Sequence, residues 1–181
     1  MEFTSADPLD FNSITYSATN SNIDDAYKLL AENNIELPEI KVGIYDTGVA
    51  LNDVTAPRFL GGYSYLSGYA ENGTQVPEAR KGYHRTSSAG TVIRNTLDNV
   101  KIYSYQVSDG NDGGIAYSGL SSAIKLGASQ GCKVLNFSFI CSFSDTDDVL
   151  TKQSFKGALK VLNITTAQVA NEGCHIVCSA G

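Results

Sequence analysis

One aspartate stands out in the sequence because it follows an apolar run and begins an Asp-Thr-Gly triplet. In the segment KVGIYDTGVA, residues 41–50, Asp46 comes directly after VGIY, a run that is typical of a buried strand. Two kinds of peptidase chemistry use such an aspartate. It can share a proton with a second carboxylate, or it can orient a histidine that acts as a general base.

A histidine with suitable surroundings for the second chemistry is His84, one of two histidines in the chain. It precedes the small residues of Ser87-Ser88-Ala89-Gly90, which would let a helix lie close to a sheet. A histidine at the start of a helix lies near the positive end of the helix dipole, which favours the neutral imidazole that a base requires.

These two residues must be positioned by elements that alternate along the chain. Apolar periodicity predicts helices over residues 22–34, 86–97 and from 117 to about 130, with one or two more over 147–171. Continuous apolar runs predict strands at VGIY, VKIYSYQV (100–107), KVLNFSFI (133–140) and HIVCSA (175–180). Residues 54–83 show no period and are interpreted as a long surface loop with one short strand at most.

Alternating strands and helices require crossover connections, so the sequence predicts an α/β fold: a mainly parallel sheet with helices on both faces. In such sheets, function gathers at the carboxyl ends of the strands. Asp46 lies at one of these ends.

Asp46-Thr47-Gly48 after a buried strand and His84-x-Thr86-x-x-Ala89-Gly90-Thr91 at a helix start together resemble the first two motifs of the subtilisin-like serine peptidases, the subtilase family. The resemblance runs from about Val42 to Gly181. It implies a three-layer αβα peptidase domain, incomplete at its C-terminus, and proteolysis by an Asp-His-Ser catalytic triad. The paired-carboxylate alternative is disfavoured, because that fold is all-β and needs a second Asp-Thr-Gly or a dimer.

The resemblance assigns roles to residues at the carboxyl ends of the strands. Asp46 would be the triad aspartate, and His84 would be the general base that it orients. The substrate would be a peptide or protein, held as an added strand between two edges of a cleft. The residues expected at these edges are Gly113 and Gly114 on one side and Ser138, Phe139 and Ile140 on the other.

The chain departs from the family pattern near the histidine and in the cleft. Arg85 stands where the family usually has glycine, and Ser87 stands where it usually has a second histidine. Ile140 and Cys141 occupy positions where glycines are common. These differences leave open a second function, that of a non-catalytic subtilase-like domain that binds peptides or acts as a scaffold.

The nucleophile of the triad has no counterpart in the sequence, which contains no G-T-S-x-A/S-x-P motif. Ser88 and Ser138 stand in other motifs. The oxyanion-hole asparagine of the family would follow Gly181. The chain alone is therefore expected to be an inactive fragment, with the remaining C-terminal part of the peptidase domain as its partner.

Charge and composition exclude other partners. The formal net charge is -6, and the 13 Lys and Arg residues are scattered, which argues against a nucleic-acid surface. The sequence has no apolar run of about 18 residues that would predict a membrane span, and the N-terminus lacks a signal-peptide pattern. The compartment is left open, and the resemblance allows a secreted protein.

No cofactor or metal is expected. Cys174 and Cys178 flank His175, but alternation along a strand would put the thiols on one face and the imidazole on the other. Cys132 and Cys178 lie in apolar runs that favour buried thiols. Calcium is common in the family, but no ligand set in this sequence matches well enough to assign.

Two parts of the chain are distinguished. Residues 1–37 are interpreted as an N-terminal extension with an amphipathic helix, and residues 38–181 as the N-terminal part of the peptidase domain. A nucleotide-binding or small-molecule-binding α/β domain is a third hypothesis, suggested by the glycines of SDGNDGG, residues 108–114. It is disfavoured because no G-x-G-x-x-G follows a strand.

Overall fold

The computed structural model describes residues 23–66, 74–75, 84–108, 117–139 and 149–179. The chain divides into two compact units, Met1–Pro38 and Glu39–Gly181. In the first unit, helix α1 spans Ile23–Glu32 and carries a Lys28–Glu32 ion pair of 3.9 Å, one turn apart. The assignment of residues 1–37 as an extension of a peptidase domain stays a prediction.

The described part of the second unit contains one six-stranded sheet in the order β3-β2-β4-β1-β5-β6. All neighbouring strands run parallel except β2 and β3, which are antiparallel. The strands are β1 (Ile40–Asp46), β2 (Phe59–Ser64), β3 (Thr74–Gln75), β4 (Val100–Gln106), β5 (Cys132–Phe137) and β6 (His175–Cys178).

Three helices cover the two faces of this sheet. They are α2 (His84–Arg94), α3 (Tyr117–Ser129) and α4 (Val149–Asn171). Ala89 and Ile93 of α2 pack in a core cluster with Val42 and Ile44 of β1. The other cluster contains residues of α3 and α4 and the opposite side chains of β1, including Tyr45. The predicted α/β fold with a parallel sheet and helices on both faces is therefore confirmed.

An aromatic stack crosses the α3 side of the sheet. Tyr45 lies between Tyr105 and Phe137, with ring centroids 4.6 and 4.4 Å apart, and Tyr63 stacks on Tyr105 at 5.8 Å. These four residues come from the neighbouring strands β2, β4, β1 and β5. The hydroxyl of Tyr45 donates to the carbonyl oxygen of Ala123 in α3, at 3.2 Å, so the stack is tied to the helix above it.

The stretch 54–83, interpreted as a long surface loop with one short strand at most, contains two strands in its described residues, β2 and β3. Residues 59–64 form β2, which pairs with β4 and brings Ser64 into register with Gln106. The sequence FLGGYS has neither apolar alternation nor a continuous apolar run, because Gly61 and Gly62 occupy its buried centre. A short 3-10 helix, Ala56–Arg58, precedes this strand.

The last turn of α2 is fixed by Arg58, which precedes β2 directly. Its guanidinium donates to the carbonyl oxygens of Ile93 and Thr96, both at 2.9 Å, and pairs with Asp98 at 2.6 Å. The last carbonyls of a helix have no partner within the helix, so the bond to Ile93 satisfies one acceptor at the end of α2, and the bond to Thr96 fixes the turn that follows.

The prediction of buried thiols is confirmed for Cys132 and wrong for Cys178. Cys132 and Cys174 are buried, whereas Cys178 is exposed although its apolar run predicted burial. Within the described part of the sheet, β6 is the edge strand beside β5, and both Val177 and Cys178 are exposed. An apolar run therefore does not ensure burial at a sheet edge.

Candidate functional site

The candidate site lies where the parallel strands β1, β4 and β2 end. Asp46, Gln106 and Ser64 are in register across these strands. Val107 donates its backbone N–H to the carbonyl oxygen of Asp46 at 2.8 Å, and Tyr65 donates to that of Gln106 at 2.8 Å. Strand β1 is thus hydrogen-bonded to the sheet as far as Asp46, the last residue of the strand.

Both carboxylate oxygens of Asp46 accept hydrogen bonds. Oδ1 accepts from the backbone N–H of Thr47 at 2.7 Å and from its hydroxyl at 3.0 Å. Oδ2 accepts from the hydroxyl of Ser88 in α2 at 3.2 Å. The residue is 4% exposed, so these bonds replace the water that a buried carboxylate has lost. They hold the carboxylate in one orientation.

The turn after β1 requires the glycine of the Asp-Thr-Gly triplet. Gly48 has a φ of 104°, in the region that L side chains rarely adopt. Gln106 donates its side-chain amide to the carbonyl oxygen of Thr47 at 3.1 Å, which fixes the turn against β4. Gln106 and Thr47 are both buried.

His84 is the first residue of α2, two residues before the predicted start of this helix. Its imidazole lies outside the described part of the chain. Ser88 comes four residues later, and residues four apart in a helix lie on the same side, one turn from each other. The backbone of His84 is therefore one turn before the residue that contacts Asp46.

Of the small residues that follow His84, Ala89 lies close to the sheet, whereas a Cβ on Gly90 would meet nothing within 4 Å. Ala89 is fully buried in the cluster with Val42, Ile44 and Ile102. This close packing allows the neighbouring Ser88 to reach Asp46, because a larger residue at position 89 would move the helix away from the strands.

The described residues of the predicted cleft edge are Ser138 and Phe139, directly after β5. Ser138 accepts a hydrogen bond from the side-chain amide of Asn136 at 2.8 Å. The ring of Phe139 packs edge-on against Phe137 at 5.9 Å and joins the core on the α3 side.

Three predicted cleft residues, Gly113, Gly114 and Ile140, lie outside the described residues. The structure thus brings Asp46 together with the start of α2 and does not test the cleft. Among the residues that it describes, no group of three or more His, Cys, Asp or Glu could hold a metal ion. No helix in the same ranges has the length and apolar character to cross a membrane.

A comparison with models of known protein families identifies the family of this chain. Residues 38–181 match the model of the Subtilase family, Peptidase_S8. The chain belongs to the subtilase family. No curated protein sequence matches it.

Solved structures with this fold include several subtilase-like proteases. A lanthipeptide protease is similar with a TM-score of 0.62 and 23% identity, over 80% of this chain and 40% of the other. The epidermin leader peptide processing serine protease EpiP from Staphylococcus aureus gives 0.58 and 22%, over 81% and 38%. The nisin leader peptidase NisP from Lactococcus lactis gives 0.51 and 20%, over 81% and 45%.

These structural similarities show that the chain shares the fold and topology of these proteases. The chain spans less than half the length of these three proteases.

Two contacts at the candidate site were not predicted from the sequence: Gln106 with the turn after β1, and Ser88 with Asp46. For Ser88 a signal was present in the spacing, because a residue four positions after His84 must lie on the same side of the helix.

Proposed function

We propose that the protein is a serine endopeptidase in which Asp46 and His84 belong to an Asp-His-Ser triad. The observation that carries the proposal is the oriented Asp46 carboxylate, which the first turns of α2 contact through Ser88 at 3.2 Å. Membership of the subtilase family supports it. A carboxylate held from two sides is suited to orienting a histidine one helical turn away.

In this mechanism the imidazole of His84 takes the proton of a serine hydroxyl as that oxygen attacks the substrate carbonyl. The same imidazole then gives the proton to the leaving amine. Asp46 accepts a hydrogen bond from the other ring nitrogen and stabilises the imidazolium without becoming protonated itself. The serine is not among residues 1–181, since none of their serines stands in the G-T-S motif, and it would come from the remaining part of the peptidase domain.

The substrate that we propose is a peptide or protein in extended form. It would add a strand between Gly113-Gly114 and Ser138-Phe139-Ile140, with main-chain hydrogen bonds on both sides. EpiP and NisP are described as leader-peptide proteases. At 20–22% identity that likeness supports the fold, so the proposal is limited to peptide substrates and includes no cofactor.

Labelling of the full-length protein with a fluorophosphonate tests this function. The probe reacts with a serine whose hydroxyl is activated by a base. We expect labelling of the wild type, with loss of labelling in His84→Ala. His175→Ala is the matched control, because His175 is the other histidine, lies in the edge strand β6 and is exposed. It should be labelled like the wild type.

A folded full-length protein that is not labelled would support the non-catalytic alternative, a peptide-binding or scaffolding domain. Equal labelling of wild type and His84→Ala would contradict the role of His84. Replacing Asp46 by Asn should slow labelling strongly, since removing the aspartate of such a triad lowers turnover by roughly four orders of magnitude.

A further inference from the structure

The two oxygens of the Asp46 carboxylate are held by different parts of the fold. Thr47, the next residue in sequence, donates twice to Oδ1. Ser88 donates its hydroxyl to Oδ2, across a sequence separation of 42 residues. The contact with Oδ2 thus depends on the packing of α2 against the sheet.

We infer that Ser88 is a positioning residue for the catalytic pair, Asp46 and His84. Its hydroxyl fixes the plane of the Asp46 carboxylate relative to His84, and it reduces the negative charge that the carboxylate presents to the imidazole. This inference rests on the proposed function. It follows from the shared helix, because Ser88 and His84 lie on the same side of α2, one turn apart. Any movement of α2 along the sheet would carry the hydroxyl and the histidine together.

The chemical effect of Ser88 has a definite sign. A hydroxyl that donates to Oδ2 draws negative charge away from the carboxylate, so the carboxylate stabilises a neighbouring imidazolium less strongly. Removing the hydroxyl should therefore raise the pKa of His84. Removing the Asp46 charge should lower it.

Among the described residues of the elements packed around Asp46, few other groups are ionisable. On the Asp46 side of the sheet, β1 contributes the apolar residues Val42 and Ile44. The β4 residues of that side are Val100, Ile102, Ser104 and Gln106, and none of them is ionisable. On α2 the ionisable residues are His84, Arg85 and Arg94.

The test is an NMR titration of the histidine rings in the full-length protein, in which the signal lost in His84→Gln assigns the ring of His84. His175 serves as the internal reference, and His175→Gln assigns its signal. The variants are Ser88→Ala, Ser88→Thr and Ser88→Val. Thr and Val have nearly the same shape and differ in the hydroxyl, so their comparison isolates the hydrogen bond even if Ala disturbs the helix.

We expect Ser88→Ala and Ser88→Val to raise the pKa of His84 by about half a unit or more. Ser88→Thr should keep the wild-type value, and His175 should titrate alike in all variants. An unchanged His84 titration in both Ser88→Ala and Ser88→Val would overturn the inference, as would an equal shift in Ser88→Thr and Ser88→Val.

Asp46→Asn separates this inference from the proposed function. If Asp46→Asn lowers the pKa of His84 while the Ser88 variants leave it unchanged, the catalytic pair stands and the role of Ser88 fails. If Asp46→Asn also leaves His84 unchanged, the pair itself is absent, and the proposed function and the inference fail together.

Discussion

At the scale of single residues, the candidate site depends on a buried carboxylate whose partners are short polar side chains. Asp46 was identified from its triplet because the order strand, Asp, Thr, Gly is a local pattern. The hydrogen bond from Ser88 could not be read in the same way, because it forms only when α2 packs on β1. The sequence thus predicts the acidic group and leaves its distant donor unspecified.

Thr47→Val should destabilise the fold. Valine has nearly the shape of threonine but lacks the hydroxyl that donates to Oδ1 of Asp46 at 3.0 Å. Thr47 is 8% exposed, so water would not readily replace the lost donor. We expect the free energy of unfolding to fall by about 1.5–3 kcal/mol, the usual range for a hydrogen bond to a charged group. Urea denaturation measures this change.

The control for that measurement is Thr47→Ser, which keeps the hydroxyl and loses one methyl group. It should lose much less stability than Thr47→Val. Equal losses in the two variants would mean that packing of the methyl group, and not the bond to Asp46, accounts for the effect.

At the scale of elements, the prediction succeeded where side chains carry a helical period or a continuous apolar run. Helices α2 and α3 and strands β1, β4 and β5 were expected close to where they occur. The position of strand β2 within residues 54–83 was not predicted, because Gly61 and Gly62 remove the apolar signal from a strand whose centre is nonetheless buried. Its place in the sheet comes from pairing with β4, which only the folded chain supplies.

Helix α3 can lie on the sheet only because position 127 has no side chain. A Cβ on Gly127 would overlap the hydroxyl of Tyr45. That ring cannot turn aside, since it is stacked between Tyr105 and Phe137. Gly127→Ala should therefore lower the free energy of unfolding by about 1–3 kcal/mol, as overpacked cores do.

Gly157→Ala in α4 is the matched control, because a Cβ there would meet nothing within 4 Å. Alanine is the better helix former, so this variant should gain up to about 1 kcal/mol. Thermal or urea denaturation of the two variants gives changes of opposite sign. A stabilising Gly127→Ala would contradict the packing of α3 on Tyr45.

At the scale of the whole molecule, the parallel sheet with helices on both faces followed from the alternation of elements. HIVC was predicted as a strand from its apolar run, and its place at the edge of the described sheet depends on strand order. The cleft residues Gly113, Gly114 and Ile140 stay predictions.

The stability of the whole fold should fall in alkaline solution. Burial raises the pKa of the Cys132 thiol from 9.0 to about 11, with a smaller contribution from Cys174. Burial also raises the pKa of the Tyr45 and Tyr105 phenols. The unfolded chain thus loses these protons at a lower pH than the folded chain, so the free energy of unfolding decreases as pH rises through this range.

For Cys132 the loss should begin near pH 9 and be complete above about pH 11. The two-unit difference corresponds to about 3 kcal/mol. Urea denaturation between pH 7 and 11 measures the fall, and Cys132→Ala should make it shallower. A free energy of unfolding that does not change over this range would contradict the burial of these groups.

The aromatic stack has a consequence for observing the molecule. The sequence contains no tryptophan, so its near-ultraviolet absorption and circular dichroism come mainly from tyrosine and phenylalanine. Because Tyr63, Tyr105, Tyr45 and Phe137 belong to four neighbouring strands, their coupled transitions depend on the strands being in register. The sheet that supports Asp46 therefore carries its own optical probe, with no added label.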